Sequence, residues 1–214
     1  MRLYDYPASA NCYKVRLLCA QLHLPYERVE VDIFDGGTLT DDFARINPAR
    51  TTPVLELAAG RYLVESNAIL VYLADGTALY PDDRFEQAQA LRWLLFEQAD
   101  VVPSMGGLRF RLLTGRLAPD DPDVGRRRAA AADALQTIES HLAGREFLAS
   151  DGYTIADIAL YAYIHVADQG GISLESYPAV RAWLRRVAAQ PEHVNDLRPY
   201  PPNASRLVGR SIYG

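Results

Sequence analysis

The sequence predicts an α/β first half built on a mixed four-stranded sheet, followed by an all-α helical bundle. Three observations carry this. Strand and helix patterns alternate over the first third of the 214 residues. A polar stretch with Gly76 and Pro81 then interrupts the chain from Asp75 to Asp83. Beyond it the apolar spacing is helical. The expected boundaries are 1–76 for the first domain, 84–199 for the second, and a tail at 200–214.

Leu3 to Tyr6 is a short strand, broken by Pro7-Ala8-Ser9-Ala10-Asn11. From Cys12 to Leu24, apolar residues at Cys12, Val15, Leu18, Cys19 and Leu22 form one helical stripe, and Pro25 ends it. Val29, Val31 and Ile33 alternate with Arg28, Glu30 and Asp32, the period-two pattern of a half-exposed strand. Asp35-Gly36-Gly37 leads to a short helix around Asp41 to Ile46. Val54–Leu57 and Tyr62–Val64 flank Ala58-Ala59-Gly60-Arg61 and read as a hairpin. Ser66 opens an apolar helix with Ile69, Leu70 and Leu73. Strands joined through helices are parallel and the hairpin is antiparallel, so β-α-β-α-β-β-α is the thioredoxin-like layout.

In the second half, one long helix is expected from Phe85 to Thr114, interrupted near Pro103, Gly106 and Gly107. A second follows Pro122 and ends near Gly144, a third begins at Thr154, and a fourth follows Pro178. Thr154 and Asp157 have the spacing of a capping box, with Tyr153 placed to pack on Ile158. This element is read as serving folding, not chemistry.

Composition narrows the function classes. Hydrophobic residues make up 49% and charged residues 23%, which supports a buried core. With 22 basic and 27 acidic residues the net charge is -5, which argues against nucleic acid as a partner. No apolar run is long enough to span a bilayer, and the opening Met1-Arg2-Leu3-Tyr4-Asp5 lacks a signal-peptide core, so no membrane and a cytoplasmic location are expected. Cys12 and Cys19 would lie roughly 10 Å apart along a helix, too far for a disulfide, which suits a reducing compartment. His23, His141, His165 and His193 lack metal-ligand spacing, so no metal is expected. There is no phosphate-binding Gly-rich loop.

Three stretches, taken together, resemble the cytosolic glutathione transferase family: Tyr6-Pro7-Ala8-Ser9-Ala10-Asn11-Cys12-Tyr13-Lys14-Val15, Asn47-Pro48-Ala49-Arg50-Thr51-Thr52-Pro53-Val54-Leu55, and Glu65-Ser66-Asn67-Ala68-Ile69. The likeness is to bacterial serine-type or Nu-like members. It covers nearly the whole chain and weakens beyond His193. It implies glutathione as co-substrate, a small electrophile as second substrate, a detoxifying transferase activity and a homodimer.

The resemblance also implies roles. Only the thiolate of glutathione attacks, and its free thiol has a pKa of about 8.5. Ser9 donates to that thiolate at a helix N-terminus, where the dipole also favours the anion. Ser9 is equally a plausible helix cap. Asn11, two residues on, is a second sulfur donor in Nu-like relatives, or a turn residue. Cys-using relatives carry their cysteine earlier, at the position held here by Ser9 or Ala10, so Cys12 reads as a small buried residue. Thr52-Pro53 corresponds to the family's cis-proline turn, whose preceding residue pairs its main chain with glutathione; an ordinary trans-proline is the alternative. Most relatives carry Val or Ile at position 52.

Glu65 meets the glutathione ammonium and Ser66 the γ-glutamyl carboxylate, although Ser66 could simply cap its helix. Arg50 binds the glycine carboxylate or is a solvated loop charge. Asp100 reaches the ammonium across a dimer interface. Tyr6, Met105, Leu108, Arg109, Phe110 and Leu112 form the electrophile pocket, or for the apolar members simply core. Three functions follow: transfer of glutathione to an electrophilic carbon, glutathione-dependent disulfide or peroxide reduction suggested by Asn11, and a non-catalytic glutathione-binding module.

Overall fold

The structure is a computed structural model that describes residues 1–213. Gly214, the last residue of the expected tail, lies outside the described residues. The chain forms two compact units, one of Met1–Leu73 with the chain from Val194 onward, the other of Ala74–His193.

In the first unit the order is β1 (Arg2–Asp5), α1 (Ala10–Gln21), β2 (Glu27–Glu30), α2 (Asp41–Ile46), β3 (Val54–Ala58), β4 (Arg61–Val64) and α3 (Ser66–Ala74). The sheet order is β2-β1-β3-β4. β1 runs parallel to β2 and antiparallel to β3, and β3 and β4 form the hairpin. A mixed four-stranded sheet is therefore present. Tyr4, Val31, Phe43 and Val54 form one core cluster, with Val29, Ile46 and Val64 packed on it.

The β2 strand is shorter than the alternation predicts. Val31 still donates to the carbonyl of Asp5 at 2.8 Å. The Asp32 carboxylate then accepts from the N–H groups of Phe34 (2.8 Å) and Asp35 (3.2 Å) and turns the chain. Val31 and Ile33 stay buried inside that turn. The alternation reported burial correctly, while a local side-chain bond ended the ladder.

The first unit holds an ion-pair network at the root of the β1–α1 loop. Asp5 is fully buried and Arg16 is 2% exposed. Arg16 donates to Asp5 at 2.5 Å, to Asp196 at 2.9 Å, and to the carbonyl of Pro7 at 3.3 Å. Arg28 pairs with the other Asp5 oxygen.

The second unit comprises α4 (Arg84–Phe96), a π-helical stretch (Glu97–Gly106), α5 (Gly107–Leu113), α6 (Pro122–Leu142), α7 (Ile155–Ile164) and α8 (Pro178–Ala188). The long helix expected over 85–114 is thus divided into three pieces. Pro103 supplies no N–H, and Gly107 reaches back to the carbonyl of Val102, five residues earlier. Gly106 allows close packing of α7, because a Cβ there would lie 2.5 Å from the Tyr163 ring. Thr154 and Asp157 form the capping box of α7. The buried Asp157 carboxylate also accepts from Trp183 Nε1 (2.8 Å) and the N–H of Leu148 (3.1 Å). Among the described residues no helix is long and apolar enough to cross a membrane.

Candidate functional site

Ser9 precedes α1 in extended conformation, and its Oγ accepts from the Cys12 N–H at 3.3 Å. The cap reading is therefore realised, with the hydroxyl oxygen as acceptor. The hydroxyl lies at the positive end of a 12-residue helix.

Asn11 and Ser66, taken from two different motifs, meet. The Ser66 hydroxyl donates to Asn11 Oδ1 at 3.2 Å. With Oδ1 so occupied, Nδ2 is the free, donating end of the amide, and it bonds to no described residue. Next to this pair, Lys14 Nζ donates to Asn67 Oδ1 at 2.7 Å and fastens α1 to α3. Lys14 is fully buried, which nothing in its helical spacing signals for a residue type that is mostly exposed.

Thr52-Pro53 is cis. Asn47 Nδ2 steadies the approach by donating to the Thr51 carbonyl (2.9 Å) and hydroxyl (3.1 Å). The main-chain N–H and C=O of Thr52 bond to no described residue and are open to a ligand. Glu65 is exposed and has a φ of 70°, a left-handed conformation that costs a non-glycine residue about 1–3 kcal/mol and recurs at ligand sites. Arg50 has a φ of 56°. Its Nη1 donates to the carbonyls of Thr38 (3.0 Å) and Thr40 (3.2 Å), so part of its fork is tied to the preceding turn.

The remaining expected residues are distributed differently. Tyr6 is 4% exposed, packs edge-on against Phe34 at 5.6 Å, and borders a cavity made with the returning tail of its own unit. In the second unit, Met105 and Leu108 are buried and Phe110 and Leu112 half-buried. Arg109 is buried and donates to Gln169 at 2.6 Å. Asp100 is exposed on the π-helical stretch, and its carbonyl accepts from the Ser104 hydroxyl.

Both cysteines are free and buried. Cys12 Sγ accepts from the Tyr6 N–H at 3.3 Å. Burial, then the Asp5 charge, push its thiol up to about 11, against hydrogen bonds from Thr52, the Tyr6 N–H and Ser9. Burial pushes Cys19 to about 12. Neither forms thiolate at neutral pH, so a thiol-labelling reagent at pH 7.5 should modify neither cysteine in the folded chain and both after denaturation. Labelling of folded Cys12 would contradict this assignment.

The Asp5–Arg16 pair was also missed from sequence. Its signal was present: Cys12, Arg16 and Cys19 share one helical face, so Arg16 sits on the buried stripe and needs a partner.

Compared with known proteins, residues 3–79 match the family described as "Glutathione S-transferase, N-terminal domain". Residues 99–191 match "Glutathione S-transferase, C-terminal domain". The chain belongs to the glutathione S-transferase family. Glutathione transfer is the function that membership carries, with glutathione as co-substrate. A possible glutathione S-transferase from Rhodopseudomonas palustris is 46% identical with a TM-score of 0.86, over 92% of this chain and 98% of that one. Glutathione S-transferase 2 of Anopheles gambiae is 31% identical over 87% of this chain and 89% of its own. Disulfide-bond oxidoreductase YfcG of Escherichia coli K12 is 28% identical over 88% and 90%.

Proposed function

We propose that this glutathione transferase is of the serine type. Ser9 Oγ–H and Asn11 Nδ2–H hold the glutathione sulfur as thiolate, and the thiolate attacks an electrophilic carbon. A C–S bond forms, and the leaving group departs with the bonding pair. The reading rests on one observation, the placement of the Ser9 hydroxyl and of the unbonded Asn11 Nδ2 at the N-terminus of α1. The open main chain of Thr52 pairs with the cysteinyl unit, ahead of Pro53. Ser66 and Glu65 take the γ-glutamyl carboxylate and ammonium, and Arg50 the glycine carboxylate through the part of its fork left over. Asp100 of a second protomer completes the ammonium site. Met105, Leu108, Arg109, Phe110 and Leu112 contribute to the electrophile wall. The activity is detoxifying and cytoplasmic. Exposed Tyr62 and Tyr72 in the first unit, and Leu91 and Leu95 on α4, are apolar surface suited to a homodimer.

Thiolate absorbance of bound glutathione tests this. In the wild type the thiol should titrate below its free value of about 8.5. Ser9→Ala should raise that pKa by about one unit, equivalent to about 1.4 kcal/mol. It should also lower kcat/KM roughly tenfold to hundredfold. A wild-type value equal to that of free glutathione would favour a non-catalytic binding module.

The second reading is disulfide or peroxide reduction. The Asn11 geometry and the similarity to a disulfide-bond oxidoreductase favour it. On that reading Asn11→Ala abolishes reductase turnover and spares conjugation. On the first, it impairs both.

A further inference from the structure

The bond from the Ser66 hydroxyl to Asn11 Oδ1 (3.2 Å) and the bond from Lys14 Nζ to Asn67 Oδ1 (2.7 Å) both join the start of α1 to the start of α3 within the first unit. Asn11 and Lys14 are three residues apart on one helix and so share a face. Ser66 and Asn67 open α3. The four side chains form two adjacent rungs between the helices.

The rungs differ in kind. The Ser66–Asn11 bond joins neutral groups and, at 3.2 Å, is longer than usual for a hydroxyl donor. The Lys14–Asn67 bond has an ionised donor and is short, as charge-assisted bonds are. Lys14 is fully buried, whereas lysine ordinarily keeps its ammonium in water. Taking that charge out of water is costly. An apolar side chain of similar length would pack one helix on the other without the cost. What the ammonium adds is direction, since it holds an acceptor in the first turn of α3.

That turn needs holding. Glu65, just before it, has a φ of 70°, and its carbonyl accepts the Ile69 N–H at 2.9 Å to begin the helix. A left-handed non-glycine residue persists only where its surroundings fix it.

We propose that Lys14 is a positioning residue for glutathione transfer: its bond to Asn67 fixes the first turn of α3 against α1 and so keeps the Ser66 hydroxyl on Asn11 Oδ1. With Oδ1 engaged, the Asn11 amide cannot turn over without losing that bond, and Nδ2 stays the end presented to the sulfur. This rests on the reading that Asn11 donates to the glutathione sulfur. Lys14 acts through Asn67, Ser66 and Asn11, not by contact with the thiol.

The test compares the thiol pKa of bound glutathione and the KM for glutathione in full-chain variants whose folding is checked by denaturant midpoint. Lys14→Met, of similar length, should raise the thiol pKa by about half a unit and KM about tenfold. Asn67→Ala keeps the ammonium and changes a half-buried helical position, and it should reproduce both effects. In an Asn11→Ala background, either change should leave the thiol pKa where Asn11→Ala alone puts it, because effects routed through one residue do not add. If Lys14→Met does not fold, Asn67→Ala carries the same comparison. The proposal is overturned if Lys14→Met leaves the thiol pKa unchanged, or if its shift persists in full without the Asn11 amide. It is also overturned if Lys14→Met raises the pKa while Asn67→Ala does not, since the charge and not the bond would then be at work. Asn11→Ala alone tests the underlying reading. An unshifted thiol pKa there removes the sulfur donor and the proposal with it, whereas a shift there with Lys14→Met silent overturns the proposal only.

Discussion

Asp157→Ala should destabilise the second unit by about 4 kcal/mol, read from the denaturant midpoint. The fully buried carboxylate accepts from the N–H and hydroxyl of Thr154, the N–H of Leu148 and the indole of Trp183. Alanine leaves three N–H donors buried without an acceptor, at about 1–3 kcal/mol each, and also removes one half of the capping box. Asp157→Asn keeps the shape and one acceptor and should cost less. If alanine lowered stability by less than about 1 kcal/mol, the central place of this carboxylate would be wrong.

The same group makes stability depend on pH. Burial, opposed by these hydrogen bonds, raises the Asp157 carboxyl from 3.8 to about 6. The folded chain holds this proton more tightly than the unfolded chain does. Its contribution is therefore fully present below about pH 4 and is lost as pH rises through about 6. The two-unit difference amounts to about 3 kcal/mol at most. Oδ2, 3.1 Å from the Thr154 hydroxyl, has an oxygen to which the proton can be given. In stability measured from pH 4 to 7, wild type minus Asp157→Asn should decline with rising pH, and a flat difference would contradict the assignment.

Asp5→Ala should cost about 3–5 kcal/mol, because it strips one of the two carboxylates from a guanidinium that is almost wholly buried. Arg16 would keep Asp196, whose side chain is 42% exposed, and Arg28 would lose its buried partner. The Tyr6–Ser9 loop should loosen with it, since Arg16 also holds the Pro7 carbonyl. A double change, Asp5→Leu with Arg16→Met, should recover part of the loss by replacing charge with apolar packing. If Asp5→Ala and Asp5→Leu/Arg16→Met were equally unstable, cavity formation and not the stranded charge would be the cause.

Much of this architecture could be read from the residues. The spacing of Cys12, Val15, Leu18 and Cys19 located α1, and the hairpin around Gly60 located β3 and β4. Both signals depend on local periodicity, which the fold preserves. The interruption near Pro103, Gly106 and Gly107 was legible, but its π-helical form and its start at Glu97 were not, because the apolar period runs on through Val101 and Met105. Only the backbone register changes there, at a proline that has no N–H to give. In the candidate site, Ser9, Asn11 and Ser66 were found by their motifs, but the bond between Ser66 and Asn11 joins residues 55 positions apart and has no trace in spacing. Lys14 was overlooked because lysine is ordinarily solvated, so its burial becomes visible only once α3 is packed against α1. The tail gave no periodic signal because main-chain bonds and a few polar side chains seat it, while Leu207 and Val208 point outward.

The return of the chain at Val194 also bears on how the molecule is assembled. Arg16 and Asp196 are 180 positions apart. Closing an unstructured loop of that length costs on the order of 5 kcal/mol. If the intervening helices condense first, they bring the two ends closer and remove most of that entropic barrier. During synthesis, a sheet emerging from the ribosome would carry a half-neutralised guanidinium until the closing segment arrives, so the unit begun first is the one completed last.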